Sequence, residues 1–286
     1  MKSKIADYFE LTKPGVTFMV IISTLAGFYL GSRESLDILL LCYALLGSWL
    51  VASGTNALNQ LIESEIDARM NRTRKRPLPA GRLQPLEVKL FGVAISVAGI
   101  IILLVAVNLL TACLAALTLV SYIFVYTPLK RKSSLSTIVG AIPGAIPPMG
   151  GWAAARGAIG IEAWVLFGIL FFWQLPHFLA IASIYRADYA RGGFRVLTVV
   201  DEAGIQTGMY IIVNCVALLV VSLLPTLLGL TGNVYFFGAW ILGIGFLAAG
   251  IRLASMKTNR YARQLLHASI AYLPLLLTLM SIDKIS

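Results

Sequence analysis

Long apolar segments alternate with short polar segments along the whole chain. Most of the apolar segments run for close to the roughly 20 residues that an α-helix needs to cross a bilayer. The pattern predicts an all-α fold, a polytopic membrane bundle of about nine transmembrane helices around a central cavity. The predicted spans are residues 14–31, 38–60, 88–107, 109–127, 136–155, 161–183, 207–230, 233–253 and 265–282.

The fifth predicted span differs from the others because it is rich in proline and glycine. Pro143, Pro147 and Pro148 all fall within it. Proline removes a backbone hydrogen bond from a helix, so we expect a kink or a break there. A membrane tolerates such a helix only where protein or a cavity covers the freed backbone groups.

The composition also indicates a membrane protein. The chain has 286 residues, of which 58% are hydrophobic and 13% are charged, and its mean hydropathy is +0.85. Soluble domains are about 25% charged. Cys42, Cys113 and Cys215 stand singly within apolar segments, which favours packing roles over a disulfide framework or a zinc site.

The whole chain, residues 1–286, is predicted to form one integral-membrane domain. No small-residue cleavage site follows the first apolar segment, so we expect a retained helix and not a signal peptide. The polar segments after spans 2 and 6 each carry an aspartate followed closely by an arginine. This parallel suggests an internal repeat of helices 1–4 and 5–8, with helix 9 added.

Basic residues fall almost entirely in alternate connections between the predicted spans. With nine spans, all but three of the 23 Lys and Arg residues lie on the side of the N-terminus, the exceptions being Arg33, Arg156 and Lys284. The positive-inside rule then predicts an N-terminus inside and a C-terminus outside. Topology accounts for most of the net charge of +10, so no nucleic-acid partner is needed, and the basic loops could contact anionic membrane lipid.

The first polar constellation follows span 2. Asn59, Glu63 and Asp67 are four residues apart, which places them on one face of a helix that we expect to end at Arg72 to Pro77. Burying a carboxylate near the bilayer core costs free energy, so such a residue is expected to have an oppositely charged partner or a functional role. Oxygen ligands beside arginines could clamp Mg²⁺ and a diphosphate. A solvated helix end would explain the arginines alone, and Glu65, on another face, is expected to be an ion-pair partner.

Three further constellations lie near the ends of spans 4 and 6. Tyr126 to Arg131 could be an aromatic belt followed by a basic anchor. His177 follows a proline within span 6 and could simply hydrogen-bond across the bundle, whereas His267 has no such context and is interpreted as structural. Asp188 follows span 6, and Asp201 and Glu202 further along could add ligands, although a solvated loop explains them equally well.

These segments together resemble the intramembrane prenyltransferases, and among them the protohaem farnesyltransferase branch. The resemblance rests on Asn59-x-x-x-Glu63-x-x-x-Asp67 with its following Arg-Pro-Leu-Pro, on Tyr126-Thr-x-x-Leu-Lys-Arg, on Gly140 to Pro148, and on Pro-His-Phe around His177. The superfamily's second motif carries two aspartates, but only Asp188 is present here, with Ile184 and Gly192 at the neighbouring positions. Ser136 stands where the family commonly has Asn.

The resemblance implies transfer of farnesyl from farnesyl diphosphate to a vinyl group of protohaem IX, with Mg²⁺ as cofactor. It places the protein in the bacterial inner membrane with the site on the cytoplasmic side, and suggests a downstream haem-modifying enzyme as a partner. The roles it implies are as follows. The catalytic residues are Asn59, Glu63, Asp67, Lys130 and Asp188; the metal ligands are Asn59, Glu63, Asp67 and Asp188; the substrate-binding residues are Arg72, Arg76, Tyr126, Arg131, His177 and Arg191.

Two alternatives stay open from the sequence. One is a prenyltransferase that acts on an aromatic acid, a quinone precursor or a chlorophyll-type ring, with the same diphosphate site. The other is a non-catalytic haem carrier or a transporter. A transporter would place polar groups near mid-membrane on several helices, whereas here the charges cluster at one end of the predicted spans.

Overall fold

The computed structural model describes residues 3–33 and 35–285. Regular structure in these residues is helical, apart from one isolated β-bridge between Thr231 and Lys284. Residues Ser121–Tyr126 form a π-helical turn between two of the helices. The helices are α1 (Lys4–Leu11), α2 (Pro14–Gly31), α3 (Ile38–Ile62), α4 (Ser64–Arg69), α5 (Pro85–Ala106), α6 (Leu109–Val120), α7 (Thr127–Leu129), α8 (Ser136–Arg156), α9 (Ile161–Ile184), α10 (Arg186–Arg191), α11 (Leu197–Val200), α12 (Ile205–Leu227), α13 (Asn233–Met256) and α14 (Asn259–Ile282).

Eight helical segments of the described chain are long and apolar enough to cross a membrane: α2, α3, α5, α6 through α7, α9, α12, α13 and α14. With α8 they match the nine predicted spans closely. The largest difference is in α14, which begins at Asn259 because its first turns are polar and continue the helix beyond the apolar segment. The predicted all-α membrane bundle is confirmed, and the chain is a multi-pass membrane protein.

The proline-rich fifth span forms α8, and the expected break does not occur. The helix runs continuously through Pro143, Pro147 and Pro148. Close packing against α2 covers this segment, because a Cβ at Gly151 would lie only 2.0 Å from the carbonyl oxygen of Thr24. Such small residues allow helix backbones to approach within a membrane and to protect freed carbonyl groups from lipid.

The largest buried apolar cluster joins α9, α12, α13 and α14 with α8. Large apolar side chains such as Phe124 and Ile241 are exposed on the outer surface, as lipid-facing positions require. The cysteines are free; Cys215 is buried, but Cys42 and Cys113 are exposed, so the packing role predicted for these two is wrong. The single domain and the internal repeat stay predictions.

The connections after spans 2, 4 and 6 meet the N-terminal segment at one end of the bundle, as the charge pattern requires. Lys2, which that pattern counts, lies outside the described residues. Hydrogen bonds link these connections: Arg82 Nη2 to Glu10 Oε2 at 2.9 Å, the Asn71 N–H to Asp188 Oδ1 at 3.1 Å, and the Arg195 N–H to the Lys130 carbonyl at 2.8 Å. The polar constellations predicted from the sequence therefore come together in space.

Candidate active site

Asn59, Glu63 and Asp67 form an acidic face at the end of α3. They keep the predicted alignment, but they do not lie on a single helix. Glu63 has non-helical backbone angles and joins α3 to α4, which ends at Arg69, earlier than expected. Helical hydrogen bonds continue across this junction, from the Glu63 N–H to the Asn59 carbonyl at 3.0 Å and from the Asp67 N–H to the Glu63 carbonyl at 2.8 Å. These bonds keep the three side chains one turn apart on one face, and all three are buried.

Each of the three buried side chains holds one cation. The contacts are Lys13 Nζ to Asn59 Oδ1 at 2.9 Å, Lys130 Nζ to Glu63 Oε1 at 2.7 Å, and Arg76 Nη1 to Asp67 Oδ2 at 2.7 Å. Glu63 and Asp67 are therefore each paired with an opposite charge, as buried carboxylates require, whereas Lys13 contacts a neutral amide oxygen. Cations from three different segments of the chain thus surround one acidic face.

The Lys130 ammonium also lies 4.4 Å from the centre of the Tyr126 ring, which Gly140 accommodates because a side chain there would clash with that ring. Burial would lower the pKa of Lys130, but Tyr126 and the Glu63 carboxylate outweigh it and raise this pKa above its ordinary value. Lys130 is therefore a fixed positive charge at the end of span 4.

Lys13 is a site residue that the sequence reasoning missed, because it was counted only as a topological charge. It precedes α2 in a left-handed backbone conformation, with φ of 48°, which a non-glycine residue rarely adopts. Burial, with the nearby positive charges of Arg76 and Lys130, lowers the pKa of Lys13 to about 7. The only local sequence signal for Lys13 is its position directly before Pro14. Proline is common at the first position of a helix, which makes Lys13 the residue that caps α2.

The residues fit a bound cation on the side of Asp67. Its Oδ1 atom is buried without a hydrogen-bond partner, and a buried carboxylate oxygen left alone is costly. Oxygen donors of this kind suit Mg²⁺. No group of three or more His, Cys, Asp or Glu side chains is close enough to hold a metal among the described residues, so the fit rests on two carboxylates and the Asn59 amide.

Asp188 lies at the same end of the bundle, but its carboxylate is already occupied. Oδ1 accepts the Asn71 N–H and contacts the Arg191 guanidinium, while Oδ2 accepts the Arg72 N–H at 3.2 Å. Burial acts to raise the pKa of Asp188, but these donors outweigh it and lower that pKa. Asp188 therefore joins the connection after α9 to the connection after α4.

Arg72 strengthens the same junction. Its guanidinium lies 5.0 Å from the centre of the Tyr185 ring and 5.5 Å from that of Tyr189. Arg131 is exposed, and its side chain has no hydrogen-bond or ion-pair partner in the part of the chain that the structure describes. Glu65 is also exposed and forms no ion pair with described residues, so the ion pair expected for it is absent there.

His177 lies on α9 and is half-buried. Its Nδ1 is 2.7 Å from Ser269 Oγ of α14, and its ring stacks on Trp173 at 5.0 Å. His267, two residues before Ser269, is exposed. The hydrogen bond across the bundle that the sequence allowed for His177 is therefore present.

Asp201 and Glu202 do not reach the acidic face. They line a separate cavity of about 370 Å³ with Arg186, Lys257 and residues of α12. The Asp201 carboxylate accepts the Thr207 N–H in the first turn of α12 at 2.7 Å. Burial acts to raise the pKa of Asp201, but this and other backbone N–H donors outweigh it and lower that pKa. The structure therefore gives no support to these two residues as extra ligands at the Asn59–Asp67 site.

Comparison with known proteins extends the likeness over nearly the whole chain. Residues 20–273 match the family model described as UbiA prenyltransferase family. The chain is 48% identical over 287 residues to the protoheme IX farnesyltransferase of Solibacter usitatus, covering 97% of this chain and 98% of that protein. It is 43% identical over 284 residues to the protoheme IX farnesyltransferase of Opitutus terrae, covering 99% and 96%.

Solved structures with similar folds are much more distant in sequence. A structure of digeranylgeranylglyceryl phosphate synthase has a TM-score of 0.82 at 18% identity, covering 98% of both chains. A UbiA homologue from Archaeoglobus fulgidus bound to GPP and Mg²⁺ has a TM-score of 0.71 at 13% identity, covering 96% of this chain and 99% of that one. At these identities the likeness shows the fold alone.

Proposed function

Because the chain belongs to the UbiA prenyltransferase family, we propose that it transfers a farnesyl group from farnesyl diphosphate to a vinyl group of protohaem IX. The observation that carries this proposal is the 48% identity, over nearly the full length of both chains, to a protein named for that activity. The product is haem O, and the enzyme is a Mg²⁺-dependent intramembrane prenyltransferase.

The C–O bond between farnesyl and diphosphate breaks, and diphosphate leaves with the electron pair. The terminal vinyl carbon of protohaem forms a bond to the farnesyl carbon, water adds to the other vinyl carbon, and one proton is released. The vinyl group is the nucleophile, so no Ser, His and Asp arrangement is needed.

The acidic face and its cations form the diphosphate site in this proposal. Lys13, Arg76 and Lys130 converge there, and these donors would stabilise the negative charge that develops on the leaving group. Arg72, Arg131 and Arg191 are proposed to complete the contacts to the diphosphate, and Tyr126 positions Lys130. Arg76 and Lys130 now pair with buried carboxylates, and Lys13 donates to the Asn59 amide oxygen. The diphosphate would replace these internal partners.

We propose that Asn59, Glu63, Asp67 and Asp188 hold Mg²⁺. When bound, the ion would neutralise charge on the diphosphate as the C–O bond breaks. The unpartnered Oδ1 of Asp67 supports this most strongly. Asp188 would have to share oxygens that already accept backbone N–H groups.

His177 is proposed to contact the protohaem acceptor, as a ligand of its iron or as an orienting group. The imidazole is half-buried, and its Nδ1 is engaged by Ser269, which leaves Nε2 for a ligand. Apolar side chains around the helices would keep water from capturing the allylic cation early. The released haem O would pass to a downstream haem-modifying enzyme, a partner that stays a prediction.

The site is proposed to lie on the cytoplasmic side of the bacterial inner membrane, with the N-terminus inside and the C-terminus outside. The basic connections that gather at one end of the bundle support this orientation under the positive-inside rule. The acidic face lies at that same end.

Expression in a bacterial host that lacks its own haem O synthesis tests the proposal. Mass spectrometry of extracted haem should then show protohaem carrying one farnesyl group and one added water. If the haem pool stayed unmodified and an added aromatic acid or quinone precursor were prenylated, the acceptor would be that compound and not protohaem. Haem binding without any prenylated product would indicate a carrier.

A further inference from the structure

Ser269 is fully buried on α14 and makes two contacts through its hydroxyl group. Its Oγ lies 2.6 Å from the Leu266 carbonyl oxygen and 2.7 Å from His177 Nδ1. A serine hydroxyl has a single proton to donate. The carbonyl oxygen can only accept, so that proton belongs to the bond with Leu266.

The other contact must then be donated by the imidazole. We infer that Ser269 is a positioning residue that holds His177 as the tautomer protonated on Nδ1, with an unprotonated Nε2. In a neutral imidazole only one ring nitrogen carries a proton, and the hydrogen bond made by one nitrogen sets the state of the other.

The same residue fixes the orientation of the ring through its backbone. The Ser269 carbonyl accepts the indole N–H of Trp173 at 2.9 Å, and that indole stacks on the His177 ring at 5.0 Å with 22° between the planes. Phe178 meets the imidazole edge at 5.7 Å. One residue of α14 thus sets both the proton position and the plane of an imidazole on α9.

The consequence for chemistry rests on the proposed function. Only an unprotonated nitrogen can ligate the iron of protohaem, so the inferred tautomer presents the competent atom, and the opposite tautomer would present an N–H group. Partners that fix the far nitrogen of a metal-binding histidine are typically worth about 10- to 100-fold in metal affinity.

The tautomer can be measured without haem, because the chain contains only two histidines. The His267→Ala variant, purified with ¹⁵N-labelled histidine, leaves one imidazole whose two-bond ¹H–¹⁵N correlations identify the protonated nitrogen. The expected result is a proton on Nδ1 alone. A proton on Nε2, or on both nitrogens, would overturn the inference, and this readout requires no substitution at Ser269.

Haem titration then tests the role of Ser269. Ser269→Ala should weaken protohaem binding by about 10- to 100-fold and shift the absorption spectrum. Ser281→Ala is the matched control, because Ser281 on the same helix also donates to a carbonyl oxygen but contacts no histidine. In a His177→Ala background, Ser269→Ala should cause no additional loss of protohaem affinity. An equal loss in that background would show that Ser269 acts only through packing.

Different outcomes would contradict the proposed function and the inferred tautomer. A protein that shows the Nδ1 tautomer but neither binds protohaem nor makes haem O would contradict the proposed function and leave the tautomer standing. A protein that makes haem O with its proton on Nε2 would contradict only the inference about Ser269.

Discussion

The ammonium group of Lys130 lies 2.7 Å from the carboxylate of Glu63, although 67 residues separate them in the chain. This pair joins the connection after span 4 to the junction between α3 and α4. It brings a positive charge suited to a diphosphate and a carboxylate suited to a cation into one buried contact.

Lys130→Met should lower both stability and activity. The variant leaves Glu63 buried without its partner, which costs about 3–5 kcal/mol. It also removes the proposed donor to the leaving group, which should cost about 100-fold or more in kcat. Thermal unfolding in detergent and the rate of haem O formation measure the two effects. Adding Glu63→Gln should restore stability without restoring activity. Lys132→Met, at an exposed neighbouring position, is the control that should leave both unchanged.

Lys13→Met should raise the KM for farnesyl diphosphate by about 10-fold or more, since a hydrogen bond to a charged group contributes about 1.5–3 kcal/mol. Lys4→Met is the matched control, because Lys4 pairs with Glu87 on the exposed surface. Initial rates over a range of farnesyl diphosphate concentrations provide the comparison. Equal KM values for the two variants would show that Lys13 does not contribute to the binding of farnesyl diphosphate.

Asp188→Asn should loosen the junction between the two connections. The backbone N–H groups of Asn71 and Arg72 lose part of a charged acceptor, so hydrogen exchange of residues 70–76 should accelerate, and a higher Mg²⁺ concentration should be needed for activity. Asp201→Asn should instead accelerate exchange only at the start of α12. Unchanged exchange over residues 70–76 would show that Asp188 does not hold this junction.

Gly151→Ala should destabilise the bundle, whereas the adjacent Gly150→Ala should not. A Cβ at Gly151 would lie 2.0 Å from the Thr24 carbonyl oxygen, and a Cβ at Gly150 meets nothing within 4 Å. Overpacking of this kind typically costs about 1–3 kcal/mol. Thermal unfolding of the two variants side by side measures the difference, and equal midpoints would mean that α2 and α8 can separate at little cost.

Hydropathy alone was sufficient to place the membrane spans, because the bilayer fixes both their length and their composition. The alternation of basic connections also grouped Glu63, Lys130 and Asp188 correctly at one end. The continuity of α8 was not predictable from its prolines, since it depends on the close approach of Thr24 to Gly151 from another helix.

Contacts between distant segments explain the remaining differences. Ser269 lies 92 residues from His177 and carries no local signal of a shared hydrogen bond. The role of Lys13 likewise depends on Asn59, which lies 46 residues away. The helix is interrupted at Glu63, but the predicted face is preserved, so the spacing was right about the face and wrong about a single helix.

The rate of haem O formation by purified Asp67→Asn protein tests whether the acidic face holds a metal that the reaction needs. Wild-type protein with protohaem, farnesyl diphosphate and Mg²⁺ should form haem O, and Glu65→Gln, at an exposed position two residues away, should match it. Asp67→Asn should remain folded but should lose about 100-fold or more of that rate, because the buried Oδ1 is proposed to hold the metal. A folded Asp67→Asn protein as active as the wild type would show that Asp67 does not hold a metal needed for the reaction.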